Sequence, residues 1–561
     1  MTGPAPLHLR NAALEQRAHG LRAGGVLTAT DLGIVDAVAA RFGEADPDVL
    51  LGLAFAVRAP RAGHVGVVLP SVRSQVDDEL ATLWSPFAEE VSDIPLDWPD
   101  DPAGWEAAVL ASPMVGDASD TGRPFVRQDL ADGRTLLMTR RMWREQERLA
   151  AAVSALAAGT PSLLLSDEAV ATGVVRMFGD ANDQGAQAVA TAARHRLTVV
   201  TGGPGTGKTY SIKRLLALLI ESVTDPTSPL RIELAAPTGK AAVRMAEAIA
   251  EDLEALDVED HVRDLLSNLR PRTLHKLLGM RPDGTSWHGP DRPVPADLVV
   301  VDEASMVDLA LMRRLFEALP VGARLVLLGD RDQLASVEAG TVLADFVGPV
   351  LDRSSDVDAP LHAAVVPFDT NHRFAQAPTV AVVAEALQGR GDDRLDQVGR
   401  WMSGEEVPPE EQMRDRITHL GVPTNGRPEQ AHLDELAAPY LADDGFVGLL
   451  AAAIRAHGPG DQALRASSLH LELLRALEGY RVLAVHRLGP LGVSGLERAM
   501  VQRCQEALKQ AIRDHSGLAA EVAVKIPTRS GHWLGRPVLV TRNSYEVRLM
   551  NGDIGLVLPT A

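Results

Sequence analysis

The stretch LTVVTGGPGTGKTYSIKRLLALLI, residues 197–220, limits the possible folds more than any other part of the sequence. A short apolar run, Leu197–Thr201, leads into an octapeptide, Gly202 to Thr209, that matches G-x-x-x-x-G-K-[ST] in full. A helical pattern follows at once. That frame of strand, glycine-rich loop and helix is the one in which backbone N–H groups converge on phosphate oxygens. The start of the helix adds its partial positive charge. Gly202, Gly203, Pro204, Gly205, Thr206 and Gly207 would form the cradle. Lys208 would reach the β and γ phosphates of a nucleotide, and the Thr209 hydroxyl would coordinate Mg²⁺.

The same pattern recurs in RIELAAPTGKAAVRMAEAIAEDL, ADLVVVDEASMVDLALMRRLFEAL and ARLVLLGDRDQLA. Short, wholly apolar strands alternating with amphipathic helices indicate an α/β fold with a parallel sheet covered on both faces. In such sheets ligands bind at the carboxyl ends of strands, which is where all four motif loops fall. In LVVVDEAS the strand ends in Asp302, placed to hold Mg²⁺, and Glu303, placed to polarise an attacking water. In GDRDQL, Gln333 can reach a γ-phosphate and report its presence. APTGKAA and TLHKLLG carry donors suited to nucleic-acid phosphates: Thr238, Lys240, Thr273 and His275. NHRF places Arg373 where a second lobe can touch the γ-phosphate across a cleft, as an arginine finger does. The chain has only six lysines, and Lys208, Lys240 and Lys276 all fall within these motifs.

Charge narrows the partners. The formal net charge is −20, which excludes a globally basic nucleic-acid coat but leaves room for a local basic channel. Residues 1–150 carry 14 Arg and Lys against 22 Asp and Glu, so this front part suits solvent or a protein partner better than phosphates. The one cysteine, Cys504, rules out an internal disulfide, fits a reducing cytosol and reads as a buried small hydrophobe. No apolar run approaches membrane-spanning length and the N-terminus has no signal-peptide pattern, so the expectation is a cytoplasmic protein with no membrane association.

Taken in order, GGPGTGKT, APTGKAA, TLHKLLG, VVDEASMVD, GDRDQLASVEAG and NHRF resemble a superfamily-1 DNA helicase. More closely they resemble the RecD type, the alpha subunit of exodeoxyribonuclease V (RecBCD). MTRRMWREQERLA, LAVHRLGPLGVSGLERAM and GRPVLVTRNSYEVRLMNGDIG are similar to RecD segments too, so the likeness runs from about Leu136 onward. The resemblance implies a P-loop NTPase with RecA-like lobes. It also implies an ATP- and Mg²⁺-dependent 5′-to-3′ DNA helicase, one of two motors in a complex that resects double-strand breaks for recombinational repair. Its partners would be single-stranded and double-stranded DNA ends and RecB-like and RecC-like subunits in a heterotrimer, with the nuclease in another subunit. Lys208, Thr209, Asp302, Glu303, Gln333 and Arg373 match the family's ATPase positions. Gln184, in ANDQGAQAV, matches a glutamine that reads adenine; a plain helix-surface glutamine is the alternative.

Four domains are expected on this basis. They are a helical, partner-docking part over 1–160, a first RecA-like ATPase lobe over 165–368, a partial second lobe with insertions over 369–515, and a β-rich, barrel-like insertion over 516–561. Two further family motifs, resembling T-x-H-K-S-Q-G and Y-T-A-x-T-R-A, do not occur in the sequence. The expectation is either a chain that stops inside its second lobe, or a family member that binds nucleotide as a catalytically impaired structural subunit. Under the first reading the polypeptide binds ATP–Mg²⁺ but does not unwind DNA by itself.

Overall fold

A computed structural model describes residues 9–83, 96–180, 183–223, 229–251, 253–333, 340, 342–351, 359–369, 396, 398–401, 428–457, 467–484, 490–516, 535–540, 547, 549 and 553–557. The chain divides into two compact units, Met1–Val72 with Asp97–Ile417, and Arg73–Leu96 with Thr418–Ala561.

The first unit begins with helices. Asn11, Thr28 and Asp46 each cap one through the side chain, and Thr28 with Asp31 closes a reciprocal capping box. The DLGIVDAVAARF and DPDVLLGLAFAVRA patterns form the helices Ala29–Phe42 and Pro47–Arg58. The second of these buries Leu50, Leu51, Leu53 and Ala54 completely. A small sheet accompanies these helices: β1 (Val115–Gly116), β2 (Phe125–Asp129) and β3 (Thr135–Thr139), with β2 and β3 antiparallel. The helical reading of this part had not foreseen the sheet. Its turn is ADGR, where Gly133 adopts φ 82°, a conformation that glycine takes at little cost.

The six-stranded sheet has the order β6-β5-β7-β8-β4-β9, and every pairing in it is parallel. The strands are β4 (Leu197–Gly202), β5 (Ile232–Ala236), β6 (Arg272–Thr273), β7 (Leu298–Val301), β8 (Arg324–Gly329) and β9 (Val365–Phe368). Alternate residues of each central strand feed two separate cores, as the period-2 geometry of a strand requires. Leu197, Val199, Val299, Val301, Leu325 and Leu327 pack into one. Val200, Leu298, Val300, Val326 and Leu328 pack into the other. The first core includes residues of the helices Arg140–Ala157 and Leu309–Glu317; the second includes residues of Gln184–Arg194, Lys208–Glu221 and Gly239–Ala250. The α/β, doubly covered architecture expected from the sequence is therefore present.

The helix Arg140–Ala157 joins the front part to this lobe. Its Glu145 meets buried Arg313, which also meets Glu317, and its Arg148 lies 2.7 Å from Glu317. A second tie is a backbone bond from Gly340 N to Gly63 O, 3.2 Å.

The second unit contains the helices Gln430–Leu441, Phe446–His457, Ser467–Gly479 and Val493–Ser516. Its core is built from Phe446, Val447, Leu450, Ile454, Leu473, Leu508 and Ile512. Cys504 is buried in it as expected, and burial pushes its thiol up to about 11. Near the chain end, β10 (Pro537–Leu539) pairs antiparallel with β11 (Ile554–Leu556), and Ile554 and Leu556 pack on the helical core. The alternation in YEVRLMNGDIGLVL suggests strands around an Asn551–Gly552 turn, and that turn lies outside the described residues. The sequence YRVLAVHRLGPLGVSGLERAMVQRC reads as a strand, a glycine-rich turn and a helix, but the strand does not form over 480–484: Leu483 is exposed, so the run is not packed as a buried strand. Among the described residues no single helix is long and apolar enough to cross a membrane.

Arg324, at the start of β8, is fully buried. Its Nε donates to Ala192 O (3.0 Å), and Nη2 donates to Ala193 O (2.7 Å) and Leu163 O. Burial pulls its pKa down to about 10, so it stays charged at neutral pH. The cation sits where the Gln184–Arg194 helix ends, the end that favours positive charge. Arg324→Met removes the donors and leaves three carbonyls without them. Urea unfolding is expected to register a loss of about 2 kcal/mol; an unchanged midpoint would contradict this role.

Candidate nucleotide and nucleic-acid site

Because all six strands run parallel, their carboxyl ends lie along one edge. Along it come, in strand order, the loops of TLHKLLG (β6), APTGKAA (β5), DEAS (β7), GDRDQ (β8) and the phosphate-type loop (β4). Five motifs scattered over about 140 residues of sequence become neighbours, each about 5 Å from the next along the row.

The β4 loop is built from its glycines. Gly205 and Gly207 adopt φ of 81° and 87°, and Gly207 leads into the Lys208–Glu221 helix. A Cβ on Gly202 would lie 2.4 Å from Phe368 O, so only glycine lets β9 run this close. Thr206 Oγ1 donates to Gly203 O (2.9 Å), closing the loop on itself. The Lys208 ammonium lies inside the curve, donating to Gly202 O and to Gly203 O (2.8 Å).

Asp302 follows the last residue of β7 and accepts a bond from Glu303 N (2.8 Å). Burial pushes its carboxyl above the usual carboxylate range and the neighbouring Glu303 adds to this, while the Glu303 N–H and Lys208 pull it back. Glu303 has φ 53°, the only non-glycine residue with positive φ among the described residues. Such a residue costs on the order of 1 kcal/mol, a strain typical of functional loops. Ser305 Oγ lies 3.4 Å from Gln333 Oε1, so the β7 and β8 loops touch through the two side chains.

Asp330, just past β8, escaped the sequence reading, in which GDRDQL yielded only Gln333. It is buried, burial raises its pKa, and Lys208 is among the charges that lower it. Two carboxyls thus face one ammonium at the mouth of the loop. The available signal was an acidic residue directly after an apolar strand, the same signal that singled out Asp302; here it read as a turn.

Gln184 is the first residue of the Gln184–Arg194 helix, and its Oε1 accepts from Asp369 N (3.0 Å), just past β9. It therefore sits at the same edge, joining this helix to β9 rather than lying on an open helix surface. Thr238 and Thr273 each cap a helix, accepting from Ala241 N (3.2 Å) and Lys276 N (3.3 Å). Lys240, His275 and Lys276 are exposed beside them. Arg373 lies outside the described residues.

Hard oxygen donors at a buried strand end suit a divalent cation such as Mg²⁺, which would favour the ionised form that burial disfavours at Asp302. Among the described residues no group of three His, Cys, Asp or Glu could hold a metal.

Comparison with known proteins places the chain. Residues 185–339 match a family model described as an AAA domain, and residues 23–131 match one described as the RecBCD enzyme subunit RecD, N-terminal domain. The RecBCD enzyme subunit RecD of Mycobacterium tuberculosis (strain CDC 1551 / Oshkosh) is 37% identical over 95% of this chain and 78% of its own length. The chain belongs to the RecD family. Its Mycolicibacterium smegmatis relative, also a RecBCD enzyme subunit RecD, is 36% identical over 95% of this chain and 80% of that protein. The ATP-dependent RecD2 DNA helicase of Deinococcus radiodurans is 35% identical over 42% of this chain and 30% of its own length. The RecD N-terminal match covers the acidic front part, in which the sequence held no chemical motif.

One prediction concerns Asp302 alone. Its folded pKa lies above its unfolded one, so its contribution to stability is present at acid pH and lost as pH rises through the raised value. Asp302→Asn is therefore expected to raise the Tm of the nucleotide-free protein at neutral pH, with the gain shrinking toward acid pH. A lower Tm at neutral pH would contradict the burial argument.

Proposed function

We propose that this RecD-family chain is the ATP-dependent DNA helicase motor of a RecBCD-type complex, working with RecB-like and RecC-like subunits on DNA ends. The observation that carries the proposal is the single row of loops. Nucleotide chemistry at β4, β7 and β8 shares one sheet edge with donors for a nucleic-acid backbone at β5 and β6.

Lys208 exchanges its loop carbonyls for β and γ phosphate oxygens of ATP, and the N–H groups of Gly203, Gly205, Thr206 and Gly207 close around them. Thr209 and Asp302 would hold Mg²⁺, which neutralises charge on those oxygens when bound. Glu303 orients and polarises the attacking water. Gln333, already in reach of Ser305, senses the γ-phosphate. Asp330 shares Lys208 with Asp302 and sets the charge that the lysine feels. Gln184 reads the adenine in this proposal, from the edge at which its Oε1 accepts from Asp369 N. Arg373 belongs to the proposal as the arginine that reaches the γ-phosphate from a second RecA-like lobe. Thr238, Lys240, Thr273 and His275 contact the DNA backbone. The γ-phosphate bridges two lobes and its loss lets them part, a ligand-driven shift between two states; the direction along DNA, 5′ to 3′, is that of the family.

In the complex assembled with its partner subunits, the other motor being inactivated at its own phosphate loop, Lys208→Ala is expected to lower single-stranded-DNA-dependent ATP hydrolysis by about 10²–10³-fold. Gln333→Ala is expected to keep nucleotide binding but uncouple hydrolysis from DNA. Hydrolysis that survives Lys208→Ala, or that proceeds equally without DNA, would defeat the proposal.

A further inference from the structure

The amino ends of the strands lie at the edge opposite the motif loops, and no motif accounts for what is built there. At the starts of β5, β7 and β8 opens a cavity of about 560 Å³. Its walls come from segments far apart in the sequence, at 162–163, 222–223, 230–231, 296–297 and 320–324. The last of these is a fixed turn. Ser162 N donates to Gly322 O (2.9 Å), and Arg196 donates from Nε to Ala323 O (3.1 Å) and from Nη2 to Pro320 O (3.1 Å). Gly322, with φ 83°, permits this: a Cβ there would lie 1.8 Å from Ser162 Oγ.

The charge on these walls is unbalanced. Arg231 and Arg324 bring two guanidiniums against one carboxylate, Asp297. That carboxylate is already taken. Arg231 holds it through N (2.9 Å), Nε (3.0 Å) and Nη2 (2.6 Å), and these bonds keep its carboxyl below the usual carboxylate range. Arg324, only 2% exposed, has no acidic partner among the described residues: its bonds run from Nε and Nη2 to carbonyl oxygens, and none leaves Nη1. The helix end beside it offers about half a charge against a whole one. Arg324 therefore brings to the lining a cation with donors left over. Exposed Ser162 adds a hydroxyl with no hydrogen bond of its own among the described residues. Half-buried Leu163, Val223 and Leu230 make an apolar wall.

We propose that this cavity binds a small organic oxyanion, its phosphate or carboxylate group meeting Arg324 and Arg231 and its organic part lying against Leu163, Val223 and Leu230. A guanidinium presents paired N–H donors that match such a group, and its weak hydration makes it a ready partner away from bulk water. The volume suits a small molecule and exceeds what a bare phosphate ion would fill. In a chain of net charge −20, a cavity with a positive balance is an exception to the background. A structural role accounts for the three carbonyl bonds of Arg324, but not for the space beside it or for the second guanidinium. The inference does not depend on the nucleotide reading. β5, β7 and β8 begin at this cavity and end at the motif loops, so the anion and a nucleotide would occupy opposite edges of one sheet.

The test is isothermal titration calorimetry of the full chain, saturated with ADP and Mg²⁺ so that the phosphate loop is filled. Phenyl phosphate and benzoate are the probes, with inorganic phosphate and neutral phenol beside them. Both organic anions are expected to bind and phenol is not. Inorganic phosphate should bind about tenfold more weakly, because it leaves the apolar wall uncovered. Arg231→Glu reverses the charge at an exposed position and should weaken phenyl phosphate by about tenfold or more, with ADP affinity unchanged. Arg231→Gln, the milder change, should act in the same direction, and thermal melts check that both variants fold. Hydrogen exchange should show protection by phenyl phosphate at 162–163, 230–232 and 320–324. No binding in the presence of ADP, unchanged affinity in both variants, or protection confined to 202–209 would overturn the site. Equal affinity for inorganic and phenyl phosphate would overturn its assignment to an organic anion.

Discussion

Everything at the candidate site depends on how tightly β4 is held between β8 and β9. Its residues pair in register with Leu325–Gly329 on one side and Val365–Phe368 on the other. The two cores close over it above and below. At its last residue, Gly202, even one methyl group would collide with the Phe368 backbone. The loop that follows cannot drift, because its starting point is fixed on all sides. The same parallel pairing fixes where β7 and β8 end, and so where Asp302 and Asp330 sit relative to Lys208. From β4 to β6 is four strand spacings, about 20 Å. In the proposed function a nucleotide at one end of the row and a DNA strand at the other would thus be tied by stiff secondary structure.

The electrostatics of that edge are unsettled until a ligand arrives. Two carboxyls are held above their ordinary range by burial, close to an ammonium that occupies itself with backbone carbonyls. Glu303 adds backbone strain at the same place. Each feature disfavours the nucleotide-free arrangement slightly, and in the proposed function phosphate and cation charge would relieve the electrostatic part. A ligand can shift an equilibrium only as far as it distinguishes the two states, and these groups are where that distinction is made. Among the described residues, the front part of the first unit is tied to the lobe that carries the row by the Glu145–Arg313–Glu317 cluster and by the Gly340–Gly63 bond.

Much of this was legible in the sequence. The central strands are short, continuous apolar runs, and each ends in a residue pattern that only a loop can satisfy, so fold class and strand-end loops followed together. Asp330 was missed because its glycine and aspartate look like an ordinary turn; only the neighbouring strand puts it opposite Lys208. The bond from Gln184 to Asp369 joins residues 185 apart, beyond any local pattern. The β1–β3 sheet was missed because strands of two and five residues carry too little periodicity, and YRVLAV misled because a short apolar run forms a strand only when something covers it. The cavity at the amino edge belongs to no motif, and its positive balance is a fact of packing alone.

The central claim is that one sheet edge binds both nucleotide and DNA. Hydrogen exchange of the full chain with each ligand separately tests it most directly. ATP with Mg²⁺ should slow exchange over 202–209 and at 302–305 and 330–333. A short single-stranded oligonucleotide should slow it over 237–241 and 273–279. Protection by DNA confined to the helices of residues 9–72, or no protection of 202–209 by ATP, would contradict the account.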